Sequence, residues 1–313
     1  MKIFNQTEKV LCVGIGGYGC DAISHISKSK LLDIEFIAMD TDPIPLSEVD
    51  DVMRMQISSQ YLNGFSNEFI YASHDEVKSL FQGADLIFIV TKLDGSTATK
   101  ATPIIAKIAK EVAALTITFV AMPSIIDNSQ KPSNTDGGIK RLRDYDIKRI
   151  KRECDAVVLI QEEELLTFLD KNIIGTAING IMGVLLTTGD NDITLAFEDI
   201  QTVMRHNGEA TISVGEYEGE NAADKAMNEA INNLSNISLS KVTGILVHFS
   251  VHPDFPIMEL GEAMEIVNES IHEEADVIFG TLTDEILSKD FVRVTMIATG
   301  FERLIINNNE HKK

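Results

Sequence analysis

Short apolar runs alternate with longer amphipathic stretches over the first half of the chain. The runs are apolar at consecutive positions and rich in β-branched residues, which is typical of parallel strands that helices cover on both faces. The predicted strands are Lys9–Gly14, Asp33–Asp40, Ala84–Thr91, Thr116–Met122 and Asp155–Gln161. Helical patterns separate them, at Asp21–Leu32, Thr99–Leu115 and Gly138–Cys154. This alternation predicts an α/β unit with a doubly wound parallel sheet.

The pattern changes after Asp170. Residues Ile173–Thr188 form a long uncharged apolar segment, which predicts a buried central helix. A smaller α+β unit is predicted to follow, with helices at Phe197–His206, Asn221–Asn232 and Pro256–His272 and strands at Ala210–Tyr217, Val242–Val251, Asp276–Leu282 and Phe291–Thr299. We therefore place the domains at 1–188 and 189–303, and expect a frayed polar tail at 304–313.

Composition narrows the class of protein. With 44% hydrophobic and 24% charged residues in 313, the chain has the make-up of a soluble globular protein of two domains. A formal net charge of −21 disfavours binding to nucleic acid and to anionic membranes. Cys12, Cys20 and Cys154 are too few and too irregularly spaced for a disulfide framework or a metal site. We expect a cytoplasmic protein without metal, nucleic-acid partner or direct membrane contact.

A glycine-rich loop, GIGGYG at residues 14–19, joins the first predicted strand to a helix. Glycine lets backbone N–H groups approach a phosphate, and the helix N-terminus adds partial positive charge. Asp40 or Asp42, at the end of the second strand, stands where a dinucleotide site would have its ribose-binding acid. The loop alone leaves open a phosphate-bearing ligand, a dinucleotide cofactor and a tight turn that needs glycine for packing.

One predicted helix has a charge opposite to that of the chain. Residues 140–152 (KRLRDYDIKRIKR) include seven basic and two acidic side chains. A solvated face with an Asp144–Lys148 pair is one interpretation, and a contact surface for the acidic part of another chain is the other.

Segments spread along the whole chain resemble the FtsZ/tubulin superfamily. Residues 14–22 (GIGGYGCDA) resemble the family's GVGGGGGNA, and residues 35–42 (EFIAMDTD) resemble its EFIAINTD. In the second half, residues 275–280 (ADVIFG) and 292–301 (VRVTMIATGF) are similar to its ANIIFG and IRVTVIATGF. The similarity runs from about Lys9 to Phe301, and a nicotinamide dehydrogenase would not share the second half.

The resemblance implies the tubulin/FtsZ fold and head-to-tail assembly into filaments. In such filaments a loop after the central helix enters the neighbour's nucleotide pocket, where its carboxylates polarise the attacking water. Matching positions give the nucleotide-binding candidates Gly16, Gly17, Tyr18, Gly19, Asp21, Asp40, Gly95, Ser96, Thr97 and Thr99. The implied catalytic residues are Asp199 and Glu198.

The chain departs from the family on both halves of this composite site. The phosphate loop GGGTGTG appears as DGSTATK at 94–100, in which Asp94 brings negative charge towards the phosphates. Glu162 stands where a family Asn contacts guanine. The catalytic loop NLDFAD appears as TLAFED at 194–199, so that Ala196 replaces the first acid while Asp199 remains.

We therefore expect an FtsZ-like cytoskeletal protein that self-assembles head to tail. Its binding of GTP or GDP is expected to be weak or lost, with Mg²⁺ only where GTP binds. Further copies of the chain, or another FtsZ-like chain, are the expected partners. The alternative is an active, slow GTPase that uses Asp199 with Glu198, so the sequence leaves open whether the chain is an enzyme.

Overall fold

The computed structural model describes residues 9–28, 34–57, 70–93, 97–122, 134–161, 173–185, 192–205, 209–234 and 237–301. The chain divides into two compact units, Met1–Met182 and Gly183–Lys313. The predicted tail at 304–313 lies outside the described residues. Within the described ranges, no helix combines the length and the hydrophobicity needed to cross a lipid bilayer.

The first unit is built on a parallel sheet with the strand order β3-β2-β1-β4-β5-β6. Its described strands are β1 Lys9–Ile15, β2 Glu35–Asp40, β3 Met53–Gln56, β4 Ala84–Lys92, β5 Leu115–Met122 and β6 Ala156–Gln161. Its described helices are α1 Gly16–Ser27, α2 Pro43–Ser47, α3 Ile70–Phe81, α4 Thr97–Glu111 and α5 Asn134–Glu153. Helix α6, Ile173–Leu185, contains the boundary between the units.

The central strands of this sheet are buried at nearly every position, as their continuous apolar sequences predict. All eight residues of β5 are buried, and so are six of the seven residues of β1. Phe88 and Phe119 lie on adjacent strands with their ring centroids 6.1 Å apart. The doubly wound α/β class is confirmed.

Two parts of the first unit differ from the sequence prediction. Helix α1 begins at Gly16, five residues before the predicted start at Asp21, because the glycine loop itself forms the first helical turn. Strand β3 and helices α2 and α3 were not predicted. Most of β3 is exposed at the edge of the sheet, so its sequence, MRMQ, has no continuous apolar run.

The second unit is a mixed sheet with the order β7-β10-β8-β9, in which β10 runs antiparallel to both neighbours and β8 pairs with β9 in parallel. Its described strands are β7 Glu209–Glu218, β8 Gly244–Val251, β9 Asp276–Thr283 and β10 Phe291–Phe301. Its helices within the described ranges are α7 Phe197–Met204, α8 Ala222–Asn232 and α9 Ile257–Ser270. A short 3₁₀ turn covers Leu239–Lys241. This architecture confirms the predicted α+β domain.

A buried histidine packs against backbone in the second unit. An ideal Cβ on Gly183 would lie 2.4 Å from Nε2 of His248, so this position of α6 has room only for glycine. Neither ring nitrogen of His248 has a hydrogen-bond partner among the described residues. Burial, with a smaller contribution from Arg293 and against the opposing effect of Asp192, lowers the pKa of His248 to about 4.

Substituting Gly183 by Ala should therefore destabilise the second unit although alanine favours helices. We expect overpacking against the imidazole to lower the free energy of unfolding by about 1–3 kcal/mol. Gly261→Ala in α9 is the matched control, because nothing lies within 4 Å of its ideal Cβ. The control should leave stability unchanged or raise it by up to about 1 kcal/mol. Urea unfolding measures both, and equal midpoints would contradict the packing argument.

The depressed pKa of His248 also predicts an acid-sensitive stability. In the unfolded chain this histidine has the ordinary pKa of 6.5, whereas in the folded chain its pKa is about 4, so stability falls as pH falls between these values. At about pH 5 the loss relative to about pH 8 should be about 2 kcal/mol from this residue. The free energy of unfolding is measured against pH for the native protein and for His248→Asn, and the difference between the two curves gives the contribution of His248. Curves of the same shape would contradict the prediction.

Candidate functional site

The strand order of the first unit reverses between β1 and β4. From β1 the chain proceeds to β2 on one side and later to β4 on the other. In open parallel sheets, ligands bind in the crevice outside the carboxyl ends of the strands at such a reversal. The glycine loop follows β1 there, and the phosphate-loop candidate at 94–100 follows β4.

The N-terminus of α1 has the features of an anion site. Its N-cap residue, Ile15, is extended and makes no side-chain cap hydrogen bond, and no acidic side chain lies in the first turn. Gly16 has a φ of +77°, a conformation that L side chains rarely adopt. Gly17 is exposed, and its ideal Cβ would meet only Cγ of Pro45, at 3.8 Å. The helix dipole and this open backbone together favour a bound anion.

Other glycines of the loop serve packing. An ideal Cβ on Gly14 would lie 2.3 Å from the carbonyl oxygen of Gly19, and one on Gly19 would lie 2.4 Å from that of Val90. The packing interpretation therefore accounts for Gly14 and Gly19 and leaves Gly17 as the candidate for contact with a phosphate. Gly14 and Gly19 bring α1 against β1 and β4, whereas Gly17 has no packing requirement.

A cation near this turn was not among the sequence candidates. Nζ of Lys92, the last residue of β4, lies 5.9 Å from the ring centroid of Tyr18 in the first turn of α1. Its position in the sequence, directly before the phosphate-loop candidate, is the signal that could have identified it. Tyr18 stands where the resembled motif has glycine, so a half-buried phenol ring adds bulk beside the anion site.

The acidic candidates of the first unit have structural partners. Asp40 is buried at the end of β2, and its carboxylate accepts a hydrogen bond from the backbone N–H of Asp42 at 3.1 Å. The carboxylate of Asp42 accepts one from the N–H of Ile44 at 2.9 Å and so caps α2. Asp21 is exposed on α1, where its carboxylate lies 3.5 Å from Nδ1 of His25.

The start of α4 packs against the glycine loop. Cβ of Ala98 lies only 2.9 Å from the position of an ideal Cβ on Gly16, so the two segments touch. Thr99 is buried. Gly95 and Ser96 lie outside the described residues, as does the side chain of Thr97.

The catalytic-loop candidates lie in the second unit, at the start of α7. Asp199 accepts a hydrogen bond on Oδ2 from the backbone N–H of Ala196, at 3.2 Å, and its own N–H donates to the Ala196 carbonyl at 3.0 Å. The carboxylate of Asp199 thus closes the first turn of the helix. Glu198 is exposed, and its carboxylate makes no hydrogen bond or salt bridge with the described residues.

Strand β9 fixes the segment that leads into α7. The N–H of Ile193 donates to the hydroxyl of Thr281 at 2.7 Å, and the N–H of Thr281 donates back to the Ile193 carbonyl at 3.0 Å. The N–H of Thr283 donates to the carboxylate of Asp192 at 2.8 Å. Because three hydrogen bonds hold this segment, the position of Asp199 follows from the sheet.

Among the described residues, no group of three or more His, Cys, Asp or Glu side chains could hold a metal ion. The three cysteines are free and buried. The anion site and the Asp199 loop belong to different units of the chain.

Comparison with known proteins gives matches to both halves. Residues 9–170 match the family model described as Tubulin/FtsZ family, GTPase domain, and residues 208–302 match FtsZ family, C-terminal domain. The cell division protein FtsZ of Helicobacter pylori (strain J99) is 30% identical over 318 residues, which cover 94% of this chain and 80% of that protein.

Solved structures of FtsZ from M. jannaschii are also similar. A mutant form has a TM-score of 0.79 at 25% identity, with coverage of 95% of this chain and 92% of that chain. A structure described as an empty FtsZ dimer has a TM-score of 0.75 at 26% identity, covering 94% and 89%. With both units matched in sequence and in structure, the chain belongs to the Tubulin/FtsZ family.

Proposed function

We propose that copies of this chain assemble head to tail into filaments in the cytoplasm, with weak or absent binding and hydrolysis of GTP. The arrangement of Ala196 and Asp199 is the observation that supports weak or absent hydrolysis of GTP. Residue 196 has no carboxylate, and the carboxylate of Asp199 is engaged with the backbone of the same helical turn.

Membership of a family of cytoskeletal filament proteins supports the assembly part. The FtsZ dimer from M. jannaschii is a self-associated relative that is described as empty. Further copies of this chain are thus the first partner to test, and a second FtsZ-like chain is the other.

Two described features support weak nucleotide binding. Tyr18 adds a phenol ring in the first turn of α1, beside the anion site. Ala98 puts a methyl group against Gly16, where the resembled loop has glycine and backbone could approach a phosphate. Both substitutions add side-chain atoms next to the proposed anion site.

The change in the catalytic loop supports slow or absent hydrolysis. In such a site the protein orients and polarises water, and a positioned acid–base group typically contributes about 10²–10⁴-fold to the rate. The contact of Asp199 with Ala196 occupies one of its two carboxylate oxygens and orients the side chain along its own helical turn. Glu198 is exposed and can approach a neighbour, so it is the replacement to test.

The alternative, an active and slow GTPase, is favoured by the open turn at Gly17 together with Lys92. An uncapped helix N-terminus and an ammonium group suit a polyphosphate, and Mg²⁺ would enter only with it.

Measurements on purified protein distinguish assembly without GTP turnover from an active, slow GTPase. The guanine nucleotide content, the rate of phosphate release and the fraction pelleted with and without GTP are measured together. We expect filaments by electron microscopy in both conditions, little bound nucleotide, and phosphate release that Asp199→Ala does not change. GTP-dependent pelleting whose turnover is lost in Asp199→Ala would establish the alternative, and a monomer in all conditions would refute assembly.

Gly17→Asp tests whether the α1 turn holds any phosphate. The change fits sterically and puts a favourable negative charge at a helix N-terminus, so the protein should keep its unfolding midpoint. A bound phosphate would be repelled, and we expect any residual GTP affinity to fall by about tenfold or more. Fluorescent-nucleotide titration measures this, with Gly17→Ser as the uncharged control. Unchanged affinity in Gly17→Asp would remove the turn from the site.

A further inference from the structure

A groove of about 580 Å³ lies in the first unit, on a face formed by α3, α4 and α5. Its floor is apolar and comes from α4, from Pro103, Ile104 and Ile108. Neither the anion site nor the Asp199 loop contributes to its lining. Its volume suits side chains that insert from a partner.

The rim of the groove carries concentrated positive charge. The side chains of Lys107, Arg149 and Arg152 line it, and none of them makes a hydrogen bond or salt bridge with a described residue. In a chain with a net charge of −21, three such cations around one apolar floor are a strong attraction for carboxylates. Within the described part of α5, the Asp144–Lys148 pair considered from the sequence does not form either.

The acids of the rim do not cancel this charge. Glu111 lies 2.9 Å from Nζ of Lys78 and 3.0 Å from Nε2 of His74, and these contacts hold the pKa of Glu111 below its usual range. Glu111 is thus already satisfied by its neighbours. Glu153 is the other acid of the lining, which also contains the three cations Lys107, Arg149 and Arg152.

An aromatic ring stands at the edge of the groove. The side chain of Tyr145 is 61% exposed, and the guanidinium of Arg149 lies 5.9 Å from its ring centroid. Exposed tyrosine beside arginine is typical of the anchor residues of protein interfaces. The ligand that fits therefore offers carboxylates together with an apolar side chain.

Helix α9 of the second unit has this chemistry. Met258, Glu262, Glu265 and Glu269 follow one another at helical spacing on one face, opposite the buried Leu260 and Val267. Met258 is 76% exposed, and the helix contains no basic residue. The three glutamates make no hydrogen bond or salt bridge with the described residues.

We propose that the α4–α5 groove of one copy binds the acidic face of α9 of a second copy. Met258 covers the apolar floor, and the glutamates meet Lys107, Arg149 and Arg152. The inference rests on the proposed assembly of copies and adds a contact separate from the one that would bring the Asp199 loop to a neighbour's nucleotide pocket. Because the two surfaces differ, a bound pair still has one free groove and one free α9, and further copies can add at both ends.

Charge reversal tests the pairing. Arg149→Glu with Arg152→Glu reverses the groove, and Glu262→Lys with Glu265→Lys reverses α9. We expect each double variant to weaken self-association by about tenfold or more, and the chain with all four changes to recover it to within about threefold. Sedimentation velocity gives the association constants. Lys148→Glu on α5 is the control, because Lys148 is exposed and does not line the groove.

Cross-linking reports the contact whether or not filaments form. The native cysteines are buried, and burial raises the pKa of Cys20 and of Cys154 to about 12, so they should stay unreactive. Mixed Tyr145→Cys and Glu265→Cys proteins should form a disulfide-linked dimer under mild oxidation, and Tyr145→Cys mixed with Lys148→Cys should not.

The outcomes separate this contact from the proposed function. Filaments that are unaffected by either reversal and give no cross-link would overturn the contact and leave assembly standing. Specific cross-linking and charge-swap rescue in closed rings, without filaments, would keep the contact and refute assembly into filaments. Cross-linking of Tyr145→Cys in cells to a different acidic protein, in place of a second copy, would overturn the choice of occupant.

Discussion

The first helix can lie where it does only because residues 14 and 19 have no side chains. A Cβ on either would come within 2.4 Å of a backbone oxygen, so α1 approaches β1 and β4 at the closest distance that backbone allows. This approach makes the glycine loop the first turn of α1, aims the helix N-terminus at the crevice between β1 and β4, and leaves Gly17 exposed. The exposed turn that we propose as an anion site is thus a consequence of packing between helix and sheet.

Much of the fold was predictable because buried parallel strands have continuous apolar sequences. The strands β1, β4, β5 and β6 were located almost to the residue. The early start of α1 was not predicted, because glycine carries no helical signal and the turn depends on a contact with β4. Edge strand β3 was missed for a related reason, since its exposed side chains lack a periodic pattern.

In the candidate site, features that depend on the identity of a single residue could be predicted from the sequence, whereas features that depend on hydrogen bonds and contacts could not. The replacement of an acid by Ala196 was visible in the sequence, but the engagement of Asp199 with that residue's N–H is a matter of geometry. Asp42 matched a ribose-binding position by spacing, and its role as the cap of α2 became visible only in the structure. Lys92 was overlooked because its proximity to Tyr18 joins two segments that are far apart in sequence.

Gly17 has space for a Cβ whereas Gly14 and Gly19 do not, and this difference determines which positions of the loop can be substituted during evolution. A side chain at residue 14 or 19 would clash with backbone, so we expect those glycines to persist in any descendant that still folds, whatever it binds. Residue 17 has space for a side chain and no structural reason to stay glycine. Within this motif it is therefore the position whose variation among relatives would record whether a phosphate ligand is still under selection.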